Sequence, residues 1–177
     1  MSVSYTATKD GAALSLRRLS WVWEAVAVIL AAACDMIPAS MVWLSSVDFE
    51  VDPGANRGHN FVCHITVAYS SDLYEKLKGI SSQEYFSQIA QLKKNYKDSI
   101  EVFSFDMITG KNQMGREVSL RSYTKAKGAF VFAAYTTPGQ FKENVGLARH
   151  LTIRFLPSKM ELHSDISLDD FTSKFKK

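Results

Sequence analysis

Cys34 has the most specific chemical setting in this chain of 177 residues. It comes directly after Leu30-Ala31-Ala32-Ala33, and small side chains before a cysteine fit the groove of a signal peptidase, leaving the thiol to accept a lipid. The second cysteine, Cys63, is flanked by Phe61, Val62 and Ile65 and reads as a small buried hydrophobe. His64 beside it suggests a thiol nucleophile with its base. Neighbours on a strand point to opposite faces, however, so the two side chains cannot meet. The other histidines, His59, His150 and His163, form no pair with ligand spacing such as H-x-x-x-H, and there is no C-x-x-C. His150, next to Arg149, reads as a solvated strand residue. Gly110-Lys111 falls in a hairpin turn without a helix after it, which is not a phosphate loop, and Asp169-Asp170 is surface charge. No nucleophile elbow, Walker loop or dinucleotide fingerprint occurs. The sequence therefore leads us to expect no enzymatic activity, no metal and no cofactor.

The segment that holds Cys34 runs from Trp21 to Leu44, WVWEAVAVILAAACDMIPASMVWL. Lys9, Arg17 and Arg18 precede it as a positive n-region, and Trp21 to Ala33 form an apolar h-region interrupted by Glu24. Residues 1–33 then act as a targeting segment and Cys34 becomes the lipidated N-terminus. A second reading keeps the stretch as an uncleaved anchor in the inner membrane. Counted through Val47 it has 27 residues, enough to cross about 30 Å of hydrocarbon, but Glu24, Asp35 and Pro38 oppose this. A disulfide between Cys34 and Cys63 is compatible with that anchor. A third reading is a buried core helix. The bias of positive charge leaves the rest of the chain outside the cytoplasm in the first two cases. A net charge of +3, without long basic runs, argues against a nucleic-acid partner.

Residues 34–163 read as a mainly β domain and residues 164–177 as a tail. Val47, Phe49 and Val51 alternate with Ser46, Asp48 and Glu50, the period of a half-buried strand. Asp52-Pro53-Gly54 ends it, and the polar, flexible loop continues through Ala55, Asn56, Arg57, Gly58, His59 and Asn60. Nine residues exceed what a short hairpin needs, and long loops at the end of a rigid sandwich are common recognition sites. Phe61 to Tyr69 is the next strand. A helical turn at Asp72–Leu77 precedes a capping box, Ser81-Ser82-Gln83-Glu84. The helix it opens places Tyr85, Ile89, Leu92 and Tyr96 on one stripe. Further strands are expected at Ile100–Met107, Val118–Tyr123, Ala129–Thr136, Leu151–Leu156 and Met160–His163. Ala129–Thr136 is apolar on both faces, as a central strand would be. The sum is an antiparallel β-sandwich with one short helical insertion.

This order of elements resembles the type VI secretion lipoproteins (the TssJ/VasD type). The likeness rests on the lipobox-like cysteine, VDFEVDPGANRGHNF, VCHITVAY, the insertion around EYFSQIAQL, and GAFVFAAYT. It implies a transthyretin-like sandwich held by a lipid on Cys34 at the periplasmic face of the outer membrane. It also implies that the loop Asp52–Asn60 docks the periplasmic domain of an inner-membrane secretion subunit (the TssM type). Two alternatives stand beside it: an inner-membrane, signal-anchored periplasmic module of another secretion or pilus machine, and, from a different functional class, a soluble β-sandwich that binds a small ligand.

Overall fold

The computed structural model describes residues 42–166. Cys34 and residues 167–177 lie outside them. Eight strands and two helices succeed one another: β1 (Ser46–Val51), β2 (Phe61–Ala68), α1 (Ser71–Gly79), α2 (Ser82–Asn95), β3 (Ile100–Met107), β4 (Gln113–Glu117), β5 (Gly128–Ala133), β6 (Lys142–Asn144), β7 (His150–Phe155) and β8 (Met160–Ser164). They form two four-stranded sheets, ordered β4-β1-β7-β8 and β3-β2-β5-β6. All pairings are antiparallel except β1 with β7, which run parallel in the register Ser46 to His150 through Val51 to Phe155.

Period-two patterning supplies the inner faces. Val47, Phe49 and Val51 of one sheet meet Phe61, Cys63, Ile65 and Val67 of the other, with Phe105, Val131 and Phe155 closing the layer. Phe49 lies 4.9 Å from Phe105 and 6.2 Å from Phe155, ring centre to ring centre. Each such side chain, removed from water, contributes about 1.5–3 kcal/mol. Cys63 is a free thiol with no solvent exposure in this layer, and burial raises its pKa. The other cysteine of the Cys34–Cys63 disulfide considered above lies outside the described residues.

The second sheet is covered on its other face as well. Ala68, Phe130 and Phe132 pack against Leu73 and Leu77 of α1 and Tyr85 and Leu92 of α2. That is why the run AFVFAA is apolar on both faces: Val131 and Ala133 look inward, Phe130 and Phe132 toward the helices. The insertion therefore comprises two helices, the expected helical turn extending to nine residues. Ser81 Oγ accepts from Glu84 N while Glu84 accepts from Ser81 N, completing the capping box at α2.

Two expectations need correction. The strand expected at Val118–Tyr123 lies at Gln113–Glu117 instead. It is an edge strand held by backbone pairing to β1, so its side chains are exposed and carry no apolar period, whereas Val118 and Leu120 are buried beyond its end. The turns after β1 and β3 also do not close hairpins. Each carries the chain from one sheet to the other.

Candidate functional site

Strand direction sorts the connections to two poles about 20 Å apart, the length of a six-residue strand. At the distal pole lie the loop Asp52–Asn60, the β3–β4 turn, the segment after β5 and the β7–β8 turn. Loop 52–60, polar and pliant by its composition, is in the fold a built structure. Ala55 and Asn56 are buried, whereas Pro53, Gly54, Arg57, Gly58, His59 and Asn60 are exposed. Asn56 and Arg57 both take left-handed backbone conformations, with φ of 47° and 55°, a region asparagine tolerates better than most residues.

Asn56 fixes the loop from within. Its Oδ1 accepts from Thr136 N at 2.7 Å and Thr136 Oγ1 at 2.9 Å, and its Nδ2 donates to His59 O at 3.2 Å. Gly54 N donates to Asp52 Oδ1 at 2.6 Å. On the neighbouring turn, Thr109 N donates to Asn60 Oδ1 at 3.2 Å and Thr109 Oγ1 to His59 O at 2.9 Å. Gly110, at φ 74°, lets that turn close against Pro53. Ile108, at its base, is 43% exposed. A rigid rim thus presents Pro53, Arg57, His59 and Ile108 outward. Behind Thr136 a cleft of about 250 Å³ opens between the start of α2 and the end of β5, lined by Ser82, Phe86, Tyr135, Thr137 and Phe141.

The other chemically capable residues are held elsewhere. His64 lies under α2, its Nδ1 3.1 Å from the Tyr85 hydroxyl, which in turn is 2.6 Å from Thr66 Oγ1. Desolvation, assisted by Lys93, lowers its pKa to about 4. Cys63 points into the opposite layer, so the adjacent pair forms no nucleophile and base. His150, in contrast, is not simply solvated. Its Nδ1 lies 2.8 Å from Ser46 Oγ and its Nε2 3.1 Å from Asp48 Oδ2. A hydroxyl, an imidazole and a carboxylate in line are the parts of an acyl-transfer site. Here they sit on the outward face of the first sheet, and none of the five main cavities of the described residues is lined by them. Asp48 Oδ1 also accepts from Gly115 N at 2.6 Å, so the group stitches β4, β1 and β7 together. The sequence concealed it because it depends on the parallel register of β1 and β7, more than a hundred residues apart.

Among the described residues no cluster of three or more His, Cys, Asp and Glu side chains could hold a metal ion. No helix of the described residues is long and apolar enough to cross a membrane.

No protein-family model matches the chain, and no curated protein matches it in sequence. Solved structures do match. The type VI secretion lipoprotein TssJ1 of Pseudomonas aeruginosa superimposes with a TM-score of 0.54 at 11% identity, over 69% of this chain and 95% of that one. Lip of Serratia marcescens, described as a membrane-bound component of the type VI secretion system, gives 0.52 at 15% identity, over 68% and 97%. A chain of a type VI membrane complex gives 0.52 at 15%, over 68% and 98%. These superpositions span nearly the whole of each matched chain and about two thirds of this one. The described domain therefore has the fold of the type VI secretion lipoprotein structures.

Proposed function

We propose that the protein is a non-enzymatic, lipid-anchored component of a type VI secretion envelope complex. In this reading Cys34 carries the lipid and holds the domain at the periplasmic face of the outer membrane. The distal pole docks an inner-membrane subunit of the TssM type. The observation that carries the reading is the polarity of the sandwich. Its fold is that of the secretion lipoproteins, and loop 52–60, braced by hydrogen bonds from Thr136 and Thr109, lies at the pole opposite the start of β1. A tether at one end and a rigid contact rim at the other is what an envelope bridge requires. Acyl chains buried at about 0.8 kcal/mol per CH₂ would supply the anchor. Pro53, Arg57, His59 and Ile108 would supply a pre-ordered contact that loses little entropy on docking.

Exchange of the whole loop is a poor test, because Ala55 and Asn56 belong to the core. The informative variant is Arg57→Glu with Ile108→Asp, both exposed. Co-purification with the inner-membrane subunit should fall at least about tenfold while the unfolding temperature holds. Undiminished co-purification removes the distal pole as the contact. In parallel, a palmitate analogue should label the wild type and not Cys34→Ser, with the product shortened by residues 1–33. An intact, unlabelled N-terminus would replace the lipid by a retained anchor.

A further inference from the structure

The proximal pole, where β1 begins, has a surface unlike the rest of the domain. Val42 and Leu44 are buried, but Trp43 between them is 49% exposed. It lines a shallow groove with Ser45, Tyr123 and Arg149. A second groove beside it is lined by Val42, Tyr74, Lys127 and Leu147 among others. Five large hydrophobic residues are exposed among the described residues, and three of them, Trp43, Tyr123 and Leu147, are here. The chain just after Trp43 is held in place, since Ser45 N donates to Arg149 O and Val118 N to Ser45 O, each at 2.9 Å.

The two connections that carry Tyr123 and Leu147 are basic and hold no carboxylate, although carboxylates stand elsewhere on this pole. Arg121, Lys125, Lys127 and Arg149 are exposed on the two connections that carry Tyr123 and Leu147. Of the carboxylates nearby, Asp165 Oδ1 accepts from the backbone of Arg149 and His150, and Glu101 accepts from Tyr69 and Arg121 N. Asp98 and Glu117 are exposed. Indole and phenol rings beside Arg and Lys side chains are the composition that settles at a membrane–water interface. Chain length points the same way. Seven residues separate Cys34 from Val42, a span of at most about 30 Å even when fully extended.

We infer that the proximal pole, centred on Trp43, Tyr123 and Arg149, seats on the headgroup region of an anionic lipid leaflet and so aims the 52–60 rim away from the membrane. The inference rests on the tethered reading above. Trp and Tyr rings occupy the headgroup layer, the guanidinium and ammonium groups meet lipid phosphates, and the short tether holds the domain within reach. Orientation then comes from the folded domain and not from the lipid alone.

The chain has three tryptophans, Trp21, Trp23 and Trp43, which provides the test. The full chain carrying Trp21→Phe and Trp23→Phe leaves Trp43 as sole reporter whether or not the leader is removed. It is purified from membranes and reconstituted into phosphatidylethanolamine–phosphatidylglycerol vesicles, with or without brominated acyl chains. Seating is expected to blue-shift Trp43 emission, and bromination to quench it roughly twofold. Adding Tyr123→Ser and Arg149→Ser should return emission to that of exposed indole without altering the unfolding temperature. Emission indifferent to bromination and open to acrylamide overturns the inference. So does shielding of Trp43 from acrylamide that persists unchanged after Tyr123→Ser and Arg149→Ser, which would mean that residues 21–41 cover it. Mass spectrometry of the same sample reads the tether separately. A lipidated Cys34 with unquenched Trp43 sinks the seat and leaves the anchor, whereas quenching on an unlipidated chain keeps the seat and sinks the lipid.

Discussion

Asn56 combines a backbone conformation and a hydrogen-bond network in one side chain. Removing its amide leaves the Thr136 donors facing a buried space, and a β-carbon without the amide is poorly suited to φ 47°. Asn56→Ala should therefore lower unfolding free energy by about 2–3 kcal/mol, and Asn56→Gly by less, because glycine keeps the left-handed geometry. Denaturant melts of the two variants separate the conformational from the hydrogen-bonding part. Equal losses would mean that the backbone is unstrained. His64 supports a pH prediction. Burial, with Lys93 adding to it, brings the imidazole from 6.5 to about 4, so the folded protein refuses a proton that the unfolded chain accepts between those values. The stability associated with the neutral ring is intact above pH 6.5 and declines as pH falls toward 4. The unfolding temperature of His64→Asn should fall less steeply across this window than that of the wild type. Parallel slopes would assign the acid sensitivity to other groups.

The helical layer shows how an element is placed by signals of different range. The capping box fixes the start of α2 locally, and Tyr85, Ile89, Leu92 and Tyr96 then turn one stripe to the sheet. The Tyr85 ring stacks on Phe132 with centres 3.8 Å apart and planes within 3°. At the other helix, Lys142 Nζ donates to the carbonyls of Leu77, Lys78 and Ile80, so a three-residue strand secures the end of α1. Loss of the cap acts on one element while the sandwich beneath it persists. Ser81→Ala should cost about 1 kcal/mol, and amide exchange should quicken first in α2. Exchange that quickens uniformly in all strands would show that the layer and the sandwich open together.

For the whole molecule, the sandwich and its helical cover bury two apolar layers on either side of one sheet. Cohesion in this domain comes from packing and not from covalent cross-links, since Cys63 is unbridged within the inner layer. Reducing agent should leave the unfolding temperature unchanged, and a thiol reagent should modify Cys63 only as the protein unfolds. Burial and a raised thiol pKa both act in that direction. Rapid labelling of the native protein would contradict the packing described.

The chain's own pattern was sufficient for the strands whose faces differ. Val47, Phe49 and Val51 against Ser46, Asp48 and Glu50 define β1 without reference to anything distant, and Ser81 with Glu84 defines the start of α2. The AFVFAA run, whose two faces are alike and apolar, announced a central strand from its continuous apolar composition. Local pattern could not identify β4, whose place depends on hydrogen bonds to β1, nor show that the turns after β1 and β3 pass between sheets. It exposed loop 52–60 as a candidate but gave it as pliant, because the partner that buries Asn56 is Thr136, eighty residues on. The Ser46–His150–Asp48 stitch and the grouping of Trp43, Tyr123 and Arg149 are likewise products of strand order. Side-chain alternation is a property of neighbours along the chain and is written in the sequence. Register and sheet order are set by which distant backbones pair, and the tertiary structure alone decides them.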